Sequence, residues 1–232
     1  FRRVLFRSDG VIAALEARGL NVLPVFASGL DARPAIERFL MREGKSCIDA
    51  LVSLTGFSLV GGPAYNDARA AEEILAALDV PYLAAHPLEF QTLEQWSASE
   101  RGLMPVEATI MVAIPELDGA TSPMVFGGRS SSRGPEDHRD MCVDDARAKM
   151  LAARVEKLVA LRQRAKAERK IAVVLFNFPP NAGATGTAAF LAVFESLFNT
   201  LKAMKEDGYS VDVPESVDAL RDALLKIGRA HV

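Results

Sequence analysis

The sequence predicts an α/β protein with parallel-sheet layers and crossover helices, arranged as two units. Three observations predict it. Short, continuous apolar segments alternate with helical patterns, a polar Ser/Gly-rich stretch then interrupts them, and a fresh apolar segment restarts the alternation. Strands buried on both faces read as unbroken apolar runs. Strand–helix alternation favours a parallel sheet with right-handed crossovers.

Asn21–Ala27 (NVLPVFA), Cys47–Leu54 (CIDALVSL) and Val80–His86 (VPYLAAH) are the expected strands of the first unit. Between them, DARPAIERFLMREG offers Asp31 as an N-cap, and NDARAAEEILAALD offers Asn66 or Asp67. TLEQWSASERG places Thr92 and Gln95 at capping-box spacing. Pro105 suits the first turn of a helix, so a helix is expected over 105–113, although the β-branched content of Thr109–Val112 also fits a strand. PMVFGG (Pro123–Gly128) reads as a further short strand.

GGRSSSRGPEDHRD (Gly127–Asp140) is a linker or exposed loop. Asp144–Ala167 follows as a charged helix with Met150, Leu151, Val155, Leu158 and Val159 on one side. KIAVVLFNF, from Lys170, restarts a strand. Phe190, Val193, Phe194, Leu197, Leu201 and Met204 then form an apolar stripe at helical spacing, expected as core and stopped by Gly208. YSVDV and PESVDALRDALL predict one more strand and helix. The expected organisation is Rossmann-like: an α/β domain over 9–128, a linker loop and helix over 129–169, and a second, truncated α/β domain over 170–226.

The ends read differently. IGRAHV (Ile227–Val232) can be encoded by DNA whose reverse complement, read out of frame, gives RVLFR, which is Arg3–Arg7 within the opening residues Arg2–Ser8. Residues 1–8 and 227–232 are therefore expected to be translated adapter and stand outside the functional reading. Without Arg2, Arg3, Arg7 and Arg229 the 27 basic residues become 23, against 30 acidic ones, a net charge of −7. An acidic body gives no support to nucleic-acid or anionic-membrane binding. Cys47 and Cys142 lie far apart with no CxxC, and read as free thiols of a reducing, cytoplasmic setting. No apolar run approaches the ~18–20 residues of a membrane span.

The loop in LFNFPPNAGATGTAAF resembles a phosphate cradle from a distance, and both nucleotide motifs fail. A Walker loop needs a lysine after its last glycine, and here Gly186 is followed by Thr187-Ala188-Ala189. The dinucleotide motif needs G-x-G-x-x-G, and only one G-x-x-G is present. What survives is a strand end, an open backbone and a helix N-terminus around Asn181, Gly183, Gly186 and Thr187. Such a site favours an anionic group such as a carboxylate, or it is a ligand-free connection.

His86 and Glu89 sit just past the carboxyl end of an expected strand, where open parallel sheets bind ligands. Glu116 and Asp118 fall in the Pro/Gly-bounded IPELDGAT. Paired carboxylates accept protons or hold a hard divalent ion. The alternatives are a structural histidine, a surface acid and an Asp118-Gly119 turn. Gly56, Gly61 and Gly62, with Phe57 and Tyr65, suit either the approach of a flat ligand or a turn.

Four long stretches recur together in one family: SLTGFSLVGGPAYND, VPYLAAHPLEFQTLEQW, MVAIPELDGATSPMVFGGR and VVLFNFPPNAGATGTAAFLAVFESLFNTLKAMKEDGYSVD. They resemble the large H subunit of magnesium chelatase, in the form found in bacteriochlorophyll-making bacteria, and the related cobaltochelatase large subunit comes second. The resemblance covers nearly all of Asp9–Lys226. It implies an internal piece of a much longer subunit that binds protoporphyrin IX and helps insert Mg²⁺. It also implies that two AAA+-type partner subunits hydrolyse the ATP, which accounts for the missing lysine. A tetrapyrrole-binding protein without catalysis is the other reading. Glu116 ranks first as a functional acid, followed by Asp118, His86 and Glu89.

Overall fold

The computed structural model describes residues 2–62, 65–131, 141–176, 185–186 and 191–229. The chain divides into two compact units, Phe1–Ala160 and Leu161–Val232.

In the first unit, helix α1 (Arg2–Glu16) and helix α2 (Arg33–Phe39) precede a small hairpin, β1 (Met41–Arg42) with β2 (Lys45–Ser46). Strand β3 (Leu51–Ser53) follows, then a second hairpin, β4 (Gly61–Gly62) with β5 (Tyr65–Asn66), and helix α3 (Ala68–Leu78). Strand β6 (Tyr82–Thr92) leads into α4 (Leu93–Ala98). One continuous helical rod then runs through α5 (Pro105–Glu107), a π-helical segment (Ala108–Ala113) and α6 (Ile114–Leu117). Strands β7 (Thr121–Arg129) and β8 (Met141–Val143) and the long helix α7 (Asp145–Gln163) complete the order.

The main sheet runs β3-β6-β7-β8, parallel through its first three strands and antiparallel at the β8 edge. Successive β6 residues serve opposite faces, as the strand period of two requires. Tyr82 and Ala84 pack with Ile36 and Leu40 near α2 and with Ala71, Ile74 and Leu78 of α3. Leu83 and Ala85 pack with Val11 and Leu15 of α1 and Leu151 and Val155 of α7. The helix expected as a linker thus contributes one face to a core.

Several expectations hold in detail. Asp67 caps α3 by accepting the Ala70 N–H at 3.0 Å. Thr92 and Gln95 form the reciprocal capping box of α4. The PMVFGG segment is the body of β7.

Others change. Asn21–Ala27 is not a strand: Pro24 has no N–H to give a ladder, and Leu23, Val25 and Phe26 are exposed. The Cys47–Leu54 strand shrinks to Leu51–Ser53, because Cys47 is spent closing the hairpin with an N–H to the Leu40 carbonyl. Strand β6 continues six residues past His86, through Pro87, by shifting register against β7. The expected 105–113 helix extends to Leu117 and widens in its middle. Pro115 lacks an N–H, and its ring opposes the carbonyl four residues back; the Ile114 N–H before it already donates to Thr109, five residues back.

In the second unit, α8 (Val193–Glu206) and α9 (Val217–Arg229) are the regular helices among the described residues. The glycine stop after α8 is a Schellman end: Gly208 N–H donates to Lys205 and Tyr209 N–H to Met204. The strands expected at Lys170 and Tyr209 do not form among the described residues, and Val174 is 92 % exposed. No residue of the α8 stripe is fully buried; Val193, Phe194, Leu197, Leu201 and Met204 are half-buried and Phe190 lies outside the described residues. A stripe reaches core burial only against a second layer, and no sheet stands opposite it within the described residues of this unit.

Candidate functional site

The expected functional residues of the first unit come from two elements in contact, β6 and the Pro105–Leu117 rod. Because β6 runs on to Thr92, His86 lies inside the strand and not past its end. It is 1 % exposed, and neither ring nitrogen has a hydrogen-bond partner among the described residues. Burial pushes its pKa down to about 4, with Glu107 opposing and the Arg147 cation adding to the effect. The imidazole is therefore neutral at pH 7, with both nitrogens uncommitted. Gly56 sits against it: a side chain there would meet His86 Cβ at 3.4 Å and Met111 Cγ of the π-helical segment at 3.5 Å. Glu89, three residues on, is exposed.

Glu116 and Asp118 share a neighbourhood in sequence and diverge in environment. Glu116 is exposed on the last helical turn, rather than in the open loop expected for it. Asp118 is 1 % exposed. Its Oδ2 accepts the Leu59 N–H at 2.9 Å, its Oδ1 meets no donor at full hydrogen-bond geometry among the described residues, and burial pushes its pKa up against the opposing pull of Ser58 and Leu59. The rod stops there in a Schellman end, with Gly119 at φ +94° and the Ala120 N–H on the Pro115 carbonyl at 3.0 Å. The turn reading of Asp118-Gly119 thus describes its backbone, and of the two acids Glu116 is the exposed one.

One carboxylate escaped the sequence reading. Glu107 is 0 % exposed and accepts three hydrogen bonds, from Phe90 N–H (3.3 Å), Met104 N–H (3.1 Å) and the Gln91 amide (2.5 Å). Its signal was present in the sequence: an acid three residues after the cap position, with Pro105 between, is half of a capping box. Near the same sheet edge, the Arg147 guanidinium lies 4.6 Å from the Trp96 ring centre, and its Nε donates to the Val125 carbonyl at 2.7 Å. Glu94 accepts from Ser130 and Ser131, hydrogen bonds that hold its carboxyl down at about 2.

Of the expected anion loop in the second unit, Asn181, Gly183 and Thr187 lie outside the described residues. Gly186 has φ +73° and donates its N–H to the Phe176 carbonyl at 2.9 Å, so that amide is committed within the protein. Among the described residues no three His, Cys, Asp or Glu side chains cluster as a metal site, and no helix is long and apolar enough to cross a membrane.

The fold is of the metal-chelatase type. It matches the catalytic subunit of cobaltochelatase from Mycobacterium tuberculosis with a TM-score of 0.76 at 29% identity, over 96% of this chain and 19% of that one. Residues 5–231 match the family model described as CobN/Magnesium Chelatase, and the chain belongs to that family. The magnesium-chelatase H subunit of Cereibacter sphaeroides is 56% identical over 230 residues, covering 94% of this chain and 19% of the relative; that of Rhodobacter capsulatus gives the same figures. The aerobic cobaltochelatase subunit CobN of Pseudomonas aeruginosa is 31% identical, over 85% of this chain and 16% of its own length. The chain thus spans about a fifth of the length of the H subunits it matches.

Proposed function

We propose that this chain is part of the porphyrin-binding subunit of an ATP-dependent magnesium chelatase, which inserts Mg²⁺ into protoporphyrin IX in (bacterio)chlorophyll synthesis in the cytoplasm. The observation that carries the reading is the 56% identity to two H subunits over 94% of the chain. ATP is hydrolysed by two AAA+-type partner subunits, and the chain by itself is inactive.

Insertion exchanges two pyrrole protons for one Mg²⁺, so the site must accept protons and strip water from an ion that dehydrates reluctantly. Glu116 is the proton acceptor in this reading: an exposed carboxylate on a rod whose ends are both anchored. Glu89 is a second exposed acid. His86, neutral and without a hydrogen-bond partner among the described residues, is held in reserve behind the Gly56 loop as a base or nitrogen donor. Asp118 serves by holding the loop at Leu59. The Asn181–Thr187 loop, with Gly183 and Gly186, is assigned to porphyrin binding.

A second reading has a specific observation behind it: the 31% identity to CobN and the cobaltochelatase fold allow cobalt and a different tetrapyrrole. Titration of the full-length subunit with protoporphyrin IX, followed by quenching of intrinsic and porphyrin fluorescence, separates the two. Saturable micromolar binding supports the magnesium reading. No binding to protoporphyrin IX, with binding to a corrin-type ring, overturns it.

A further inference from the structure

The rod that carries Glu116 is pinned at both ends by buried carboxylates, and its middle is not α-helical. At the start, Glu107 ties Phe90 and Gln91 of β6 to the Met104 cap. A surface acid would suffice for capping alone; this one is fully buried and spends most of its bonds on the strand. At the other end, Asp118 ties the rod to Leu59 of the glycine-bearing loop. Between them, Ala108–Ala113 is wound with one extra residue per turn. Each residue added to a helical turn rotates everything after it by about 100° about the axis. The π-helical segment therefore sets the direction in which Glu116 projects, and it cannot relax to α-helix without displacing Glu107 or Asp118.

We propose that Glu107 and Asp118 are positioning residues that hold the π register and thereby aim the Glu116 carboxylate. The inference rests on the reading of Glu116 as proton acceptor. It needs an acceptor at each end and not a negative charge. An amide at 107 keeps one acceptor oxygen: placed at Oε2 it retains the Met104 N–H and the Gln91 amide, and gives up the longest of the three bonds, that from the Phe90 N–H at 3.3 Å.

The test uses the full-length subunit with its ATP-hydrolysing partners, Mg²⁺ and protoporphyrin IX. Glu107→Leu, similar in volume and without an acceptor, is expected to lower kcat about tenfold or more with KM for the porphyrin within about twofold, the mark of a misaimed group. Glu107→Gln is expected to recover kcat to within about threefold of wild type. Should Glu107→Leu fail to fold, Gln91→Leu removes one of the three bonds and is expected to lower kcat about threefold at unchanged KM. A folded Glu107→Leu, or Gln91→Leu in its place, that turns over at the wild-type rate while Glu116→Gln is slow overturns the clamp alone. A fast Glu116→Gln overturns the Glu116 reading and removes the group the clamp is proposed to aim.

Discussion

Asp118 Oδ2 accepts the backbone N–H of Leu59, 59 residues earlier in the chain, at 2.9 Å. The bond needs an oxygen and not a charge. Burial raises the Asp118 pKa, so its proton binds more tightly in the folded state; the stability this gives is largest in acid and is lost as pH rises through the folded value. Asp118→Asn keeps the acceptor and removes the buried charge, and its urea midpoint at pH 7 is expected at or above wild type. Asp118→Ala orphans the Leu59 N–H and is expected to cost about 1–3 kcal/mol. Equal damage from both would contradict this account of the bond.

His86 gives the opposite acid response. Its pKa falls from 6.5 unfolded to about 4 folded, so the unfolded chain binds the proton first. Its contribution is complete above pH 6.5 and is lost as pH falls toward 4, a total of about 3 kcal/mol at 1.36 kcal/mol per unit. His86→Leu is expected to flatten the stability profile across that window. Unfolding midpoints at pH 7, 6, 5 and 4 give the answer, and parallel profiles for the two proteins would refute it.

Gly127 lies where β7 meets β8 too closely for a side chain. An added Cβ would stand 2.3 Å from the Cys142 carbonyl oxygen and 3.0 Å from Val143 Cα, both backbone atoms that cannot swing away. Gly127→Ala is expected to destabilise by about 1–3 kcal/mol through forced strand separation. Calorimetry reads the loss, and an unchanged melting temperature would argue against the β7–β8 register.

Trp96 is the single tryptophan of the chain and carries the Arg147 guanidinium over its ring. Arg147→Met keeps much of the side-chain bulk and removes the cation. Its Trp96 emission is expected to change intensity and become insensitive to salt, with about 0.5–1 kcal/mol lost from the stacking. Identical spectra would place the arginine elsewhere.

Much of the sheet was legible because strands buried on both faces leave a compositional trace. Val80–His86 and Pro123–Gly128 mark the cores of β6 and β7 for that reason. Caps at Asp67 and Thr92 were legible because a side chain and an N–H three residues on settle them locally. Asn21–Ala27 and residues 170–176 have a similar apolar composition and are not strands among the described residues: a strand is defined by its neighbour, which lies outside a local pattern. The extension of β6 through Pro87 depends on register shifts against β7, and the π turn on a proline that follows it. For the candidate residues, what the sequence misjudged was exposure. His86 and Asp118 read as accessible because polar residues beside turns usually are, and Glu107 went unread because its two partners in β6 are 16 and 17 residues away.

The most direct measurement is the rate of Mg-protoporphyrin formation by the full-length subunit, with partner subunits, ATP and Mg²⁺, in wild type and Glu116→Gln. Removing a general base costs on the order of 10²–10⁴ in rate. The account expects a loss of at least about a hundredfold with porphyrin affinity unchanged within a few fold. Wild-type turnover by Glu116→Gln would contradict the central claim.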